Sequence, residues 1–247
     1  MIDIINIKYE ENIIIQKKLR IREQFFTFSN NIKNGNIEVI TEKDLKILFG
    51  LYGTIFLEDY FKDYFKGSIK FSLSHQMTKS AGITKTPRDI AFISPEKQQF
   101  EIKISLDFLF DFYKSTREKS VGGIIANDPL DALMLVLEHE ICHVIEFHIF
   151  KFSSCKKQQF KTIINNIFGH KESYHKLTTN SELIYKDFGL KQNDKVSFDY
   201  EGKILKGIIY RINKRATVMV EDKKGTYKNQ FGKSFSKFYV PINSLKK

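Results

Sequence analysis

Residues 128–151 read Asp-Pro-Leu-Asp-Ala-Leu-Met-Leu-Val-Leu-Glu-His-Glu-Ile-Cys-His-Val-Ile-Glu-Phe-His-Ile-Phe-Lys. Asp128 is a residue type that caps helix starts, and Pro129 suits the first helical position. Leu130, Leu133, Leu137, Ile141 and Val144 recur at intervals of three and four, which predicts a buried helix of about six turns. Inside it, His139-Glu140-Ile141-Cys142-His143 sets two imidazoles four residues apart. They therefore share one helical face, one turn above the other, with Glu140 displaced to its side. Two neutral imidazoles form a two-point grip on Zn2+, and a carboxylate beside the first can take a proton from a metal-bound water. His139 and His143 are thus candidate metal ligands and Glu140 the candidate general base. Cys142, off the metal face, is expected in the core.

Upstream of this helix the period changes. Short alternating runs at 69–74, 81–86, 90–94 and 100–106, broken by Gly82, Pro87 and Pro95, predict an antiparallel meander. A helical run over 106–114 and a charged, glycine-containing loop over 115–127 then lead into the metal helix. Further upstream, Thr41 with Asp44 three residues on resembles a capping box. Leu45, Leu48, Phe49, Tyr52, Phe56 and Tyr60 give an apolar face to a helix running to about residue 64. Residues 1–40 read as an N-terminal helical extension without chemistry, with a helix over about 11–31 and a turn at Asn34-Gly35.

Downstream, Phe160, Ile163, Ile164 and Ile167 mark a helix ending at Gly169. His170 and His175 follow, and residues 176–190 read as a linker. Helices around a small antiparallel sheet make an α+β metallohydrolase domain, in which an edge strand of the meander can bind an extended peptide.

From Lys191 the texture turns to short β runs at 196–200, 204–212, 216–220 and 238–240, which predict a small barrel of about five strands. Residues 191–247 hold 14 Lys and Arg against 5 Asp and Glu, a net charge of +9 within the chain's +11. Tyr200, Tyr210, Tyr227, Phe235 and Tyr239 are interleaved with these cations, as a surface combining phosphate contacts with base stacking requires. The plainer alternatives are aromatics that fill the barrel core among solubilising lysines, or a surface for an acidic protein.

The composition agrees with a globular chain: 42% of 247 residues are hydrophobic, enough for a sizeable core. Two cysteines, Cys142 and Cys155, are too few for a disulfide framework and favour a reducing compartment. The N-terminal residues lack the basic region and apolar run of a secretory signal. No apolar stretch approaches the ~20 residues of a membrane span. The expectation is a soluble cytoplasmic protein.

Several motifs occur together: Phe71-Ser-Leu-Ser74 with Met77-Thr78 and Ala81-Gly82-Ile83-Thr84, then Glu101-Ile-Lys-Ile-Ser105, then Asp131-Ala-Leu133 ahead of His139-Glu-Ile-Cys-His143. Over about residues 41–176 the chain resembles the SprT-like zinc metalloproteases, and the basic barrel resembles an SH3-like module attached to some relatives. The resemblance implies a zincin-like domain, peptide-bond hydrolysis, a Zn2+ cofactor, a protein or peptide substrate and recruitment to nucleic acid, DNA before RNA. It divides the chain into an extension (1–40), a metallopeptidase domain (41–178) and a basic barrel (190–247).

In that family the third ligand is usually a histidine four residues before an aromatic. Counting back from Phe160 gives Lys156, whose ammonium lacks the lone pair a metal needs. His170 is the first candidate to replace it and Cys155 the second. His175 is a further one, while Glu146, on the same helical face as His143, suits a partner that orients a ligand imidazole. The rival reading is a nucleic-acid-binding protein whose zinc is structural, closed by His139, His143, Cys155 and one of His170 or His175.

Overall fold

Ile14, Ile21 and Phe25 form one buried stripe along the first helix, α1 (Glu11–Phe28), in the computed structural model, which describes residues 3–247. The chain divides into a first unit ending at Leu177 and a second from Thr178 to Lys247. Residues 3–40 are not an appendage to the first unit. The α1 stripe and Ile32, Ile37 and Ile40 join the same core as Leu133, Leu137 and Ile141.

Thr41 begins α2 (Glu42–Ile55), and the Asp44 side chain accepts from the Thr41 N–H at 2.8 Å. Asp44 also accepts from Ser29 Oγ at 2.6 Å, Asn31 Nδ2 at 2.9 Å and Thr41 Oγ1 at 2.7 Å. Burial alone would raise its pKa, but these donors outweigh it and hold the carboxyl below its ordinary 3.8. The ionised group therefore stabilises the fold above pH ~4 and stops doing so as pH falls through the lowered native value. Asp44→Asn should cost about 1.5–3 kcal/mol at neutral pH and flatten the acid limb of stability against pH, measured by urea unfolding from pH 7 to 3.

The helix expected from 41 to 64 is broken. Glu58 and Asp59 take left-handed backbone (φ 50° and 60°), with Asp59 N–H on Gly53 O and Asp59 Oδ1 accepting from Thr54 Oγ1, and the chain restarts as α3 (Tyr60–Tyr64). An apolar face continuous in sequence is thus folded over a corner.

The sheet of this unit contains β1 (Ser68–Ser74), β2 (Gly82–Lys85) and β3 (Gln99–Ser105) in the order β1-β3-β2. β3 pairs antiparallel with β2 but parallel with β1, so the sheet is mixed rather than an antiparallel meander. Alternation fixes which face of a strand is buried and not which strand it meets. Phe100, Ile102 and Ile104 take β3 to the middle of the sheet, and β2 is left at an edge. The run expected as a strand at 90–94 is a 3-10 turn, Ile90–Phe92. A short α4 (Asp107–Phe110) and a small ribbon of β4 (Ser120–Val121) and β5 (Ile124–Ile125) complete the approach to α5 (Pro129–Phe150).

α5 begins as expected, with the Asp128 side chain accepting from Asp131 N–H and Pro129 in the first turn. Arg22 of α1 reaches Asp128 at 2.5 Å and Asp131 at 2.6 Å. From Ala132 to Glu146 every residue is buried except His139 and His143, which are half-buried. α6 (Gln158–Phe168) packs against α5 and stops at Gly169, whose φ of 77° suits glycine.

The second unit starts with α7 (Asn180–Phe188), where a linker was expected. Thr179 and Glu182 make a capping box, and Ile184 anchors the helix in this unit's own core. β6 (Lys195–Tyr200), β7 (Lys203–Ile212), β8 (Arg215–Glu221), β9 (Tyr227–Lys228) and β10 (Ser234–Pro241) form an antiparallel sheet in the order β6-β7-β8-β10-β9. After a 3-10 turn at Ile242–Ser244, Lys246 pairs with Ser197 and brings the chain back onto the free edge of β6. Among the described residues no helix is long and apolar enough to cross a membrane.

Candidate metal centre

His139 Nε2 and His143 Nε2 lie 3.2 Å apart on α5, and Cys155 places its Sγ so that all three donor atoms fall within 4.8 Å of one another. Cys155 arrives there because Lys151 takes left-handed backbone (φ 58°) and turns the chain sharply off the end of α5. Phe160 of α6 packs its ring against both imidazoles, at 4.9 and 4.5 Å between centroids. The donor set is two imidazole nitrogens and one thiol, types that suit zinc. Burial, and for His139 also the neighbouring His143, pushes the imidazole pKa values down to about 3 and about 4, so both rings keep a lone pair at neutral pH.

His143 is held from behind. Its Nδ1 lies 2.6 Å from Ser153 Oγ, which donates to Glu146 Oε2 at 2.6 Å, and the same carboxylate oxygen accepts from Ser154 N–H. With the Ser153 proton given to Glu146, His143 Nδ1–H is the donor to Ser153 and Nε2 is left bare toward His139. Glu146 thus sits where the sequence places it, although it acts through a serine that no sequence pattern marks. Ser153→Ala should lower metal affinity about 10–100-fold, read by competition with a chromogenic chelator; unchanged affinity would remove Ser153 from the support of the site.

Glu140 is buried between α5 and β2. Its Oε2 accepts from Thr84 Oγ1 at 2.8 Å, and its Oε1 faces Gly82, where an added Cβ would stand only 2.7 Å away. Only glycine lets the strand approach this closely. Burial raises the Glu140 pKa to about 7, although the Thr84 hydrogen bonds act in the other direction.

The other expected ligands are elsewhere. His170 is fully turned toward Glu138, its Nε2 2.7 Å from Glu138 Oε2. The same carboxylate accepts from Lys18 Nζ at 2.8 Å and from Tyr52 OH at 2.7 Å. Glu138 is one residue before His139, hence about 100° around the helix, and the histidine that serves it does not join His139 and His143. This corrects the choice of His170 as third donor: the cluster contains Cys155 instead. Desolvation lowers the His170 pKa, so a neutral ring donates Nε2–H to an ionised Glu138. Glu138's burial would raise its own pKa, and Lys18 and His170 outweigh that. His175 bridges to Val121 and sets its ring against Phe108, also outside the cluster. Cys142 is buried and its thiol pKa is pushed up by desolvation.

Thr84, Ser153, Glu138, Lys18 and Tyr52 escaped the sequence reading. Only Thr84 left a signal, as the last residue of the Ala81-Gly82-Ile83-Thr84 motif. Comparison with protein-family models, with curated proteins and with solved structures finds no match.

Proposed function

We propose that the first unit is a zinc-dependent metallopeptidase of the SprT-like, zincin-like kind, hydrolysing peptide bonds in proteins held near nucleic acid by the basic, SH3-like second unit. The observation that carries this reading is the selective exposure of α5: over fifteen residues its only half-buried side chains are the two imidazoles that converge with Cys155. His139, His143 and Cys155 would hold the metal. Zn2+, when bound, polarises the scissile carbonyl and acidifies the attacking water.

The chain's own groups account for the remainder. Glu140, pinned through Oε2 by Thr84, would accept the water's proton on its carboxylate and return it to the leaving amine. Among the described residues β2 has β3 on one side and no strand on the other, so an extended substrate can add to it beside Glu140. Phe160 fixes both imidazole rings by contact.

The rival structural zinc needs a fourth protein donor. Among the described residues the cluster offers three, with His170 given to Glu138, which favours hydrolysis. Metal analysis of the purified chain, followed by hydrolysis of a denatured protein before and after chelation, tests the proposal. One equivalent of metal and an activity lost to chelator and restored by Zn2+ support it; a folded chain that neither takes up zinc nor cleaves refutes it.

A further inference from the structure

The sheet of the second unit buries one face and leaves the other open, and the two differ in chemistry. Val196, Phe198, Ile209, Val218 and Val240 point into the core. On the open face, strand register sets Lys195, Ile208, Met219 and Lys237 side by side across β6, β7, β8 and β10. Tyr239 lies two residues along from Lys237, Phe235 two residues the other way, and Phe235 pairs with Tyr227.

Lys237 Nζ stands 4.0 Å over the Tyr227 ring. A hydrogen bond to Tyr227, with Tyr239 and Tyr210 close by, holds this ammonium above its ordinary pKa. Three tyrosines therefore gather round one lysine, with Tyr210 and Tyr239 59% and 67% exposed. Tyr200, by contrast, leans on Phe238. Beside the cluster runs a groove of about 490 Å3 whose walls include Lys195, Lys206, Lys246, Ile208, Met219 and Phe235. The nearby acids are engaged: Glu221 pairs with Lys233 at 3.1 Å, Asp194 with Lys247 at 3.0 Å, and Asp222 accepts from Ser236.

We propose that this open sheet face binds single-stranded DNA, with bases stacked on Tyr210 and Tyr239 and phosphates held by Lys195, Lys206 and Lys246. Open rings next to a basic groove can be used together only by a polyanion whose own bases are unstacked. A duplex keeps its bases inside and would use the lysines alone, and so would an acidic peptide. Between the lysines the groove wall is apolar, Ile208 and Met219, which suits a sugar without the 2′-hydroxyl, the group that separates RNA from DNA. The proposal rests on reading the second unit as a nucleic-acid-binding module, and it is independent of the metal centre.

The test is fluorescence anisotropy of the full-length chain with a fluorescein-labelled oligothymidine of about 20 nucleotides, its duplex and its oligouridine counterpart, at several salt concentrations. A site of about 4–16 nucleotides fits within that length. The single DNA strand should bind at least about tenfold tighter than the duplex, with affinity falling as salt rises. Tyr210→Ala and Tyr239→Ala should each weaken binding about 5–100-fold with an unchanged salt slope, while Tyr210→Phe and Tyr239→Phe bind like the parent. Lys195→Ala and Lys206→Ala should each reduce the slope by about 0.7. Parental binding by the tyrosine-to-alanine variants, equal affinity for duplex, tighter binding of the uridine strand, or displacement by polyglutamate as readily as by unlabelled strand would each overturn the proposal. The Glu140→Gln protein should bind as the parent does, so loss of hydrolysis and loss of binding are read separately.

Discussion

Glu140→Gln is expected to slow peptide hydrolysis by about 10²–10⁴-fold, the share that a positioned proton-transfer group contributes, with metal content unchanged. The amide matches the carboxylate in size, so it can occupy the space between Gly82 and Thr84 and still accept the Thr84 hydroxyl proton. It cannot accept a proton from an attacking water. The candidate metal donors are His139, His143 and Cys155, none of which the change touches. Hydrolysis of a denatured protein, with metal analysis of the same sample, decides the matter. A variant that cleaves like the parent removes Glu140 from the chemistry; one that loses its metal shows that Glu140 supports the site rather than the reaction.

Glu138→Gln should lower stability by about 3–5 kcal/mol, the usual result of taking one partner from a buried charged set. Glu138 is fully buried, and three donors converge on it: Lys18 Nζ, Tyr52 OH and His170 Nε2–H. A glutamine presents one oxygen to them and turns an NH2 group toward the rest. Lys18, with a side chain 18% exposed, can recover some solvation; Tyr52 and His170 cannot. Urea unfolding with an unchanged m-value is the measurement, and a loss under about 1 kcal/mol would mean that the set rearranges without penalty.

Much of this molecule was legible because certain residues are read locally. Asp128, Pro129 and the leucine spacing defined α5, Thr41 and Asp44 marked the start of α2, and Gly169 ended α6. Partners distant in sequence were not legible. Nothing in the alternation of residues 68–105 says that β3 inserts between β1 and β2, since period two describes a face and not a neighbour. His170 looked available because a histidine next to a helix end is a good ligand; its carboxylate partner, Glu138, lies about 100° around α5 from His139. Cys155 reaches the cluster only through the turn at Lys151, a residue type that rarely adopts positive φ, and no sequence pattern marks that turn. In the second unit, the interleaving of tyrosine and lysine was plain, but only strand register separates the open rings from Tyr200.

The links from α1 to α5 bear on how the chain is made. Lys18 meets Glu138 across 120 residues of sequence, and Arg22 meets Asp128 across 106. On the ribosome, α1 has its apolar stripe and cations ready long before the segment that neutralises and covers them emerges. Such distant closure slows folding and leaves that stripe open to wrong partners, so production of the first unit should depend on chaperones that shield nascent chains.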